Sequence, residues 1–289
     1  MVDVVYRFGD DGAGNGSRPA NSAEARLLLE RGNDHFSRLF DPAADEAEPE
    51  VVSVAAGTMV PAPELGGVQQ HEPFAAIIGC ADARVPIELL FGRTINDLFV
   101  LRVAGNVLGT AVIGSLDYAI RNLPTVRSVV VLGHTSCGAV TAAAGAYMDP
   151  ATYLSLSAEH QLRAIVDQLF PAVRLSHSAM LRVWGDEATE LDGFVAGLVE
   201  TAVAVNAAIM ASSLRSELAR YGSDEIAPTF GVYDLQSHQV GVPAADRHGR
   251  FRAGLFTPPH DAQGFRDLAT AVAEGPAVEA LLWGAEQRR

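Results

Sequence analysis

Two cysteines occur in 289 residues, and each has chemically useful neighbours. Cys80 opens Cys80-Ala81-Asp82-Ala83-Arg84, and Cys137 closes His134-Thr135-Ser136-Cys137. Two thiolates and one imidazole make a three-ligand zinc set that leaves a fourth position for water or substrate. Asp82 and Arg84 add a carboxylate and a permanent cation beside the first ligand. Arginine can hold a carboxylate through two hydrogen bonds and keep it ionised. An ionised Asp82 could accept a hydrogen bond from water activated at the metal, or could move onto the metal and close the site. The set points to a catalytic Zn2+ held by Cys80, His134 and Cys137, with Asp82 and Arg84 alongside. The competing readings are plainer: Cys80 as a small buried apolar residue, Asp82 as a turn residue, Arg84 as a surface ion-pair partner. A lone His-x-x-Cys is weak. Its pairing with Cys-x-Asp-x-Arg after a second apolar run carries the argument.

Such distant segments meet only if the fold brings them together. Residues 75–79, 98–103, 129–132 and 229–235 read as buried strands, the first ending at Cys80 and the third just before His134. Helical stretches at 86–91, 110–121 and 138–147 alternate with them. The pattern predicts an α/β fold with a mainly parallel central sheet flanked by helices, and ligand sites in such sheets lie at the strands' carboxyl ends. Earlier, Asn21 or Ser22 can cap a helix, with Glu24 closing a capping box, although Gly32 interrupts its apolar spacing. Residues 155–170 and 192–218 read as amphipathic helices separated by a surface excursion over 170–191. Short helices are expected at 265–272 and 277–283. The domain reading is a flexible arm over 1–20, a single α/β zinc-enzyme domain over 21–242 and a C-terminal extension over 243–289, with a connecting segment at 41–72.

The net charge of −14 argues against a nucleic-acid partner, which needs concentrated positive charge, and against anionic membrane surfaces. All 21 basic residues are Arg, which removes lysine Schiff-base and P-loop chemistry. No signal peptide and no apolar stretch of membrane-spanning length is expected, so a cytoplasmic setting with reduced thiols is the expectation. His35, His71, His160, His177, His238, His248 and His260 read as surface or helix residues rather than a fourth ligand, and Trp184 and Trp283 as packing residues.

Cys80-Ala-Asp82-Ala-Arg84, then Leu98-Phe-Val-Leu-Arg-Val-Ala-Gly-Asn106, then Gly133-His134-Thr-Ser-Cys137-Gly-Ala139 together resemble the β-class carbonic anhydrase family. The resemblance is firm over 74–142 and weaker over the early helix and over 206–242, where Val232-Tyr233-Asp234-Leu235 is similar to the family's last strand. It implies zinc on Cys80, His134 and Cys137, with Asp82 and Arg84 as the catalytic dyad. It implies reversible hydration of CO2 to bicarbonate, and a homodimer or dimer of dimers with the site near the subunit interface. Ala83 stands where the family usually has Ser, and Val103 where Asn is common; neither is a ligand or a dyad member. Three alternatives stay open: CS2 or COS hydrolysis on the same site, a catalytically silent zinc-binding regulatory subunit, and a zinc-free hydrolase with Cys137 as nucleophile.

Overall fold

The computed structural model describes residues 4–9, 18–40, 50–55, 70–156, 160–220, 226–245 and 251–284. Where the sequence suggested a flexible arm, Val4–Gly9 forms strand β1, pairing in parallel with β2 (Glu50–Ala55). Val4-Val5-Tyr6-Arg7-Phe8 is rich in β-branched and aromatic residues, which favour a pleated strand. Most of the expected 41–72 connection lies outside the described residues, as does His248.

Six further strands build the main sheet in the order β4-β3-β5-β6-β7-β8. β3 (Ala75–Gly79), β4 (Leu98–Arg102), β5 (Ser128–His134) and β6 (Pro228–Tyr233) run parallel, as the sequence predicts. β3 and β5 are buried along their whole length, which explains their unbroken apolar character. Their side chains alternate between two cores. Val129 and Val131 join Ala76 and Ile78 on one face, while Val130 and Leu132 join Ala75 and Ile77 on the other.

The second face is covered by α1 (Ser22–Arg38) and the short α2 (Ile87–Leu90). Asn21 caps α1 by accepting from the Glu24 amide, and Glu24 reaches back to the Ala20 amide. Gly32 belongs to this helix because the Phe91 carbonyl crosses it; a Cβ there would lie 1.8 Å from that oxygen. α3 (Thr110–Asn122) and α4 (Gly138–Met148) follow β4 and β5, and α5 (Pro150–Ser155) is a single capped turn.

Most of the excursion expected over 170–191 is instead the continuation of α6 (His160–Trp184), which runs through Pro171; only 185–191 leave the helix, in a short turn. Proline removes the bond to the carbonyl four residues back. Here that carbonyl belongs to the exposed Asp167, where water can substitute, while Val166, Leu169 and Val173 keep the other face buried. α7 (Phe194–Ala219) is not amphipathic as expected. It is apolar nearly all round and packs on β5, β6, α4, α6, α8 and α9. It is also long and apolar enough to cross a membrane, contrary to the sequence reading, but 78% of its most apolar window is buried inside the protein.

The tail is part of the same architecture. β7 (Val240–Ala245) crosses the boundary placed at 242, pairs antiparallel with β6, and is followed by β8 (Phe251–Ala253), α8 (Ala262–Ala273) and α9 (Pro276–Trp283). These two strands escape a sequence reading because one is three residues long and the other contains Pro243. Trp184 packs as expected, donating from Nε1 to the Ala273 carbonyl, whereas Trp283 remains 42% exposed at the end of α9.

Candidate active site and metal centre

Three parallel strands deliver the site. Cys80 follows the last residue of β3, His134 is the last residue of β5, and Gly79 sits opposite Leu132 and Arg102 in the neighbouring strands. The chain then turns so that Cys137 stands at the N-cap of α4. The result brings together every ligand named from the sequence. The donor atoms of Cys80, His134 and Cys137 lie within 4.8 Å of one another, all three buried, with the two sulfurs 4.0 Å apart. Tetrahedral zinc with thiolate bonds of about 2.3 Å requires sulfurs about 3.8 Å apart.

His134 is set up for this role. Its Nδ1 lies 3.0 Å from the Thr135 carbonyl, which can only accept, so Nδ1 carries the proton and Nε2 presents a lone pair. Nε2 is buried with no hydrogen-bond partner. An orphaned buried nitrogen beside two sulfurs is the arrangement a metal completes. The sulfurs themselves share charge unequally. Cys80 is held down at about 4, chiefly by the hydrogen bond from Cys137 and also by the amides of Asp82 and Gly105. The same contact, together with burial, pushes Cys137 up, although the Ala139 and Val140 amides at the start of α4 oppose the rise.

Asp82 and Arg84 form the pair expected of them. Arg84 Nε and Nη2 donate to Oδ1 and Oδ2 of Asp82 at 3.0 and 2.6 Å, and the Arg84 amide donates to Oδ1 at 2.9 Å. These bonds hold the carboxyl far below the usual carboxylate range, Arg84's side chain being the largest cause. Asp82 Oδ2 also lies 3.8 Å from His134 Nε2, so the ionised carboxylate faces the metal position without leaving Arg84.

Other groups hold these residues; of them the sequence marks only Gly105, as a tight turn with Asn106. Arg102 donates from Nε to the Cys80 carbonyl at 3.1 Å and from Nη2 to the Asp82 carbonyl at 2.5 Å. Gly105, with φ +67°, points its amide at the Cys80 sulfur at 3.4 Å, and its carbonyl accepts from Asn206 on α7 at 2.9 Å. Thr135 Oγ1 bonds Asp234 and accepts from the Leu235 amide, tying the loop after β5 to the one after β6. Glu200 on α7 accepts from the Ser136 amide at 2.8 Å. A charged residue inside the apolar run Leu198-Val199-Glu200-Thr201-Ala202 was the available signal for it.

A cleft of about 750 Å³ opens beside Arg84. Ser136, Glu200 and Asp234 line its polar side, and Phe251 and Leu281 from the tail line the apolar side. Of the remaining histidines, His238 bonds the Tyr233 hydroxyl at 2.9 Å, and His177 packs between Tyr147 and Phe194; neither joins the three-ligand group.

Residues 75–226 match a protein-family model described as carbonic anhydrase. "Carbonic anhydrase 2" of Mycobacterium tuberculosis is 38% identical over 148 residues, covering 50% of this chain and 67% of that protein. A carbonic anhydrase of Mycolicibacterium smegmatis is 38% identical over 141 residues, covering 47% and 64% respectively. Among solved structures, one of the tetrameric β-carbonic anhydrases of Sordaria macrospora is 23% identical, with a TM-score of 0.43, over 62% of this chain and 83% of that one.

Proposed function

The chain belongs to the β-class carbonic anhydrase family and is a carbonate dehydratase, and from that premise we propose that it hydrates CO2 reversibly with zinc held by Cys80, His134 and Cys137. The observation that carries this reading is the unpartnered Nε2 of His134, buried beside two sulfurs and facing an ionised Asp82.

When bound, zinc supplies the Lewis acidity that makes water nucleophilic near neutral pH. The protein's own residues do the rest. Asp82 accepts a hydrogen bond from the attacking water, which turns a lone pair of that water toward the CO2 carbon. Arg84 keeps Asp82 ionised and fixes its plane through two bonds. Arg102 anchors the backbone on both sides of Ala81, so the carboxylate keeps its distance from His134. The cleft beside Arg84 admits CO2, and bicarbonate and the proton leave through it toward solvent and buffer.

The intact Asp82–Arg84 pair supports an active enzyme over a silent zinc-binding subunit. We also assign self-association to the β4 edge of the sheet. Phe99 and Leu101 are only half-buried there, and α3, which contacts β4, exposes Tyr118 at 53%. The test of the activity is stopped-flow CO2 hydration by zinc-loaded protein, with CS2 and COS as competing substrates. Hydration at no more than the buffer rate, by protein carrying one zinc per chain, overturns the proposal. Sedimentation of the full chain tests the assembly, and a monomer at micromolar concentration removes that part.

A further inference from the structure

The geometry points to Glu200 as a positioning residue that holds Ser136 in a left-handed conformation, and through Ser136 sets both Arg84 and the Cys137 end of the ligand loop. The inference rests on the function proposed above and adds a residue to it.

Ser136 is one of four non-glycine residues with positive φ among those described, at +55°. That conformation is uncommon for serine and costs energy that neighbouring contacts must offset. Two contacts supply it. The Ser136 amide donates to Oε1 of Glu200 at 2.8 Å, with Ser136 Oγ 3.4 Å from the same oxygen. On its other side the Ser136 carbonyl accepts from Arg84 Nη2 at 3.4 Å. One strained peptide thus spans α7 and the dyad, immediately before the ligand Cys137. Rotating Ser136 back to ordinary backbone angles would swing its carbonyl away from Arg84 and turn the start of α4.

The role asked of Glu200 is that of an acceptor, and it does not require charge. Its carboxyl is pushed up by burial, with Asp234 adding to the rise and Ser136 opposing it. An amide oxygen could take the same hydrogen bond, so the conservative variant separates positioning from proton transfer.

The test compares full-length wild type, Glu200→Ala and Glu200→Gln, each loaded with Co2+ for its ligand-field spectrum and with Zn2+ for CO2 hydration. Glu200→Ala is expected to lower kcat by about tenfold or more, as small misplacements of catalytic groups do, and to shift the Co2+ bands at equal metal loading. Glu200→Gln is expected to restore both to within about threefold of wild type on the same reasoning. Ser136→Gly in the Glu200→Ala background should recover part of the loss, because glycine needs no support in that conformation. An unchanged spectrum and kcat in Glu200→Ala overturn the proposal. So does a Glu200→Gln protein as impaired as Glu200→Ala, which would assign proton chemistry to the carboxyl. A wild type that binds Co2+ but hydrates no CO2, while Glu200→Ala still shifts the bands, leaves the positioning role standing and removes the function instead. A wild type that binds no metal removes both.

Discussion

His134 Nε2 and Asp82 Oδ2 stand 3.8 Å apart, and the nitrogen takes part in no hydrogen bond. A buried imidazole nitrogen left without a partner next to a carboxylate is costly unless something sits between them. A cation held by that nitrogen and the two sulfurs would give the nitrogen its partner, with Asp82 facing it from the Arg84 side.

The metal should therefore bind at close to one zinc per chain. Cys137→Ser should lose most of it, because removing one of three ligands leaves a neutral, weaker donor at the helix start. Elemental analysis after dialysis checks this; full zinc occupancy in Cys137→Ser contradicts the ligand assignment.

Asp82→Asn should keep its zinc and lose turnover by about 100-fold or more, the scale of losing a positioned proton acceptor. The sign of the pH effect follows from the depressed carboxyl. The stabilisation from pairing with Arg84 is present above the ordinary carboxylate value and is lost only as pH falls through the lower folded value. Asp82 is thus ionised throughout mildly acidic conditions, and a loss of activity just below neutrality would come from a group other than Asp82. A rate profile whose acid limb disappears in Asp82→Asn would refute this.

Glu200 behaves oppositely. Its carboxyl is raised by burial, so folding favours the protonated form, and that advantage fades as pH rises through the folded value. Glu200→Gln should therefore melt higher than wild type at neutral and alkaline pH. The difference should shrink toward pH 4.5, the ordinary carboxyl value. Calorimetry across that range decides it, and a constant difference would show that burial is not the cause.

Gly32→Ala should destabilise the protein by about 1–3 kcal/mol, the range for forced overpacking. Its new methyl would overlap the Phe91 carbonyl, which belongs to the backbone and cannot rotate aside. A denaturant midpoint unchanged from wild type would mean that α1 does not dock as described.

The site was legible because its residues are rare and sit at the ends of apolar runs. Cys80 and Cys137 are the only thiols in the chain, so their placement after β3 and β5 stood out. The supports were less visible. Glu200 and Asn206 lie within a helix whose pattern announces core packing, and nothing in a single sequence links residue 200 to residue 136. The helix read as ending at 170 runs on because Pro171, which local chemistry disfavours in helices, lies on the solvated face of α6 and lets tertiary packing prevail. The tail strands failed for the reverse reason: β8 is too short to show alternation, and only pairing with β7 makes it a strand.

α7 touches the loops that carry Cys80 and Cys137 twice, through Glu200 to Ser136 and through Asn206 to Gly105, which bonds the Cys80 sulfur, two points about 9 Å apart along the helix. Because that helix is also the most buried of the described helices, the loops share its fate on opening. Backbone amides of Gly105 and Ser136 should exchange with deuterium only as slowly opening molecules expose the whole interior, and not through fluctuations of the rim. Heating should then release metal in the same transition that melts the core.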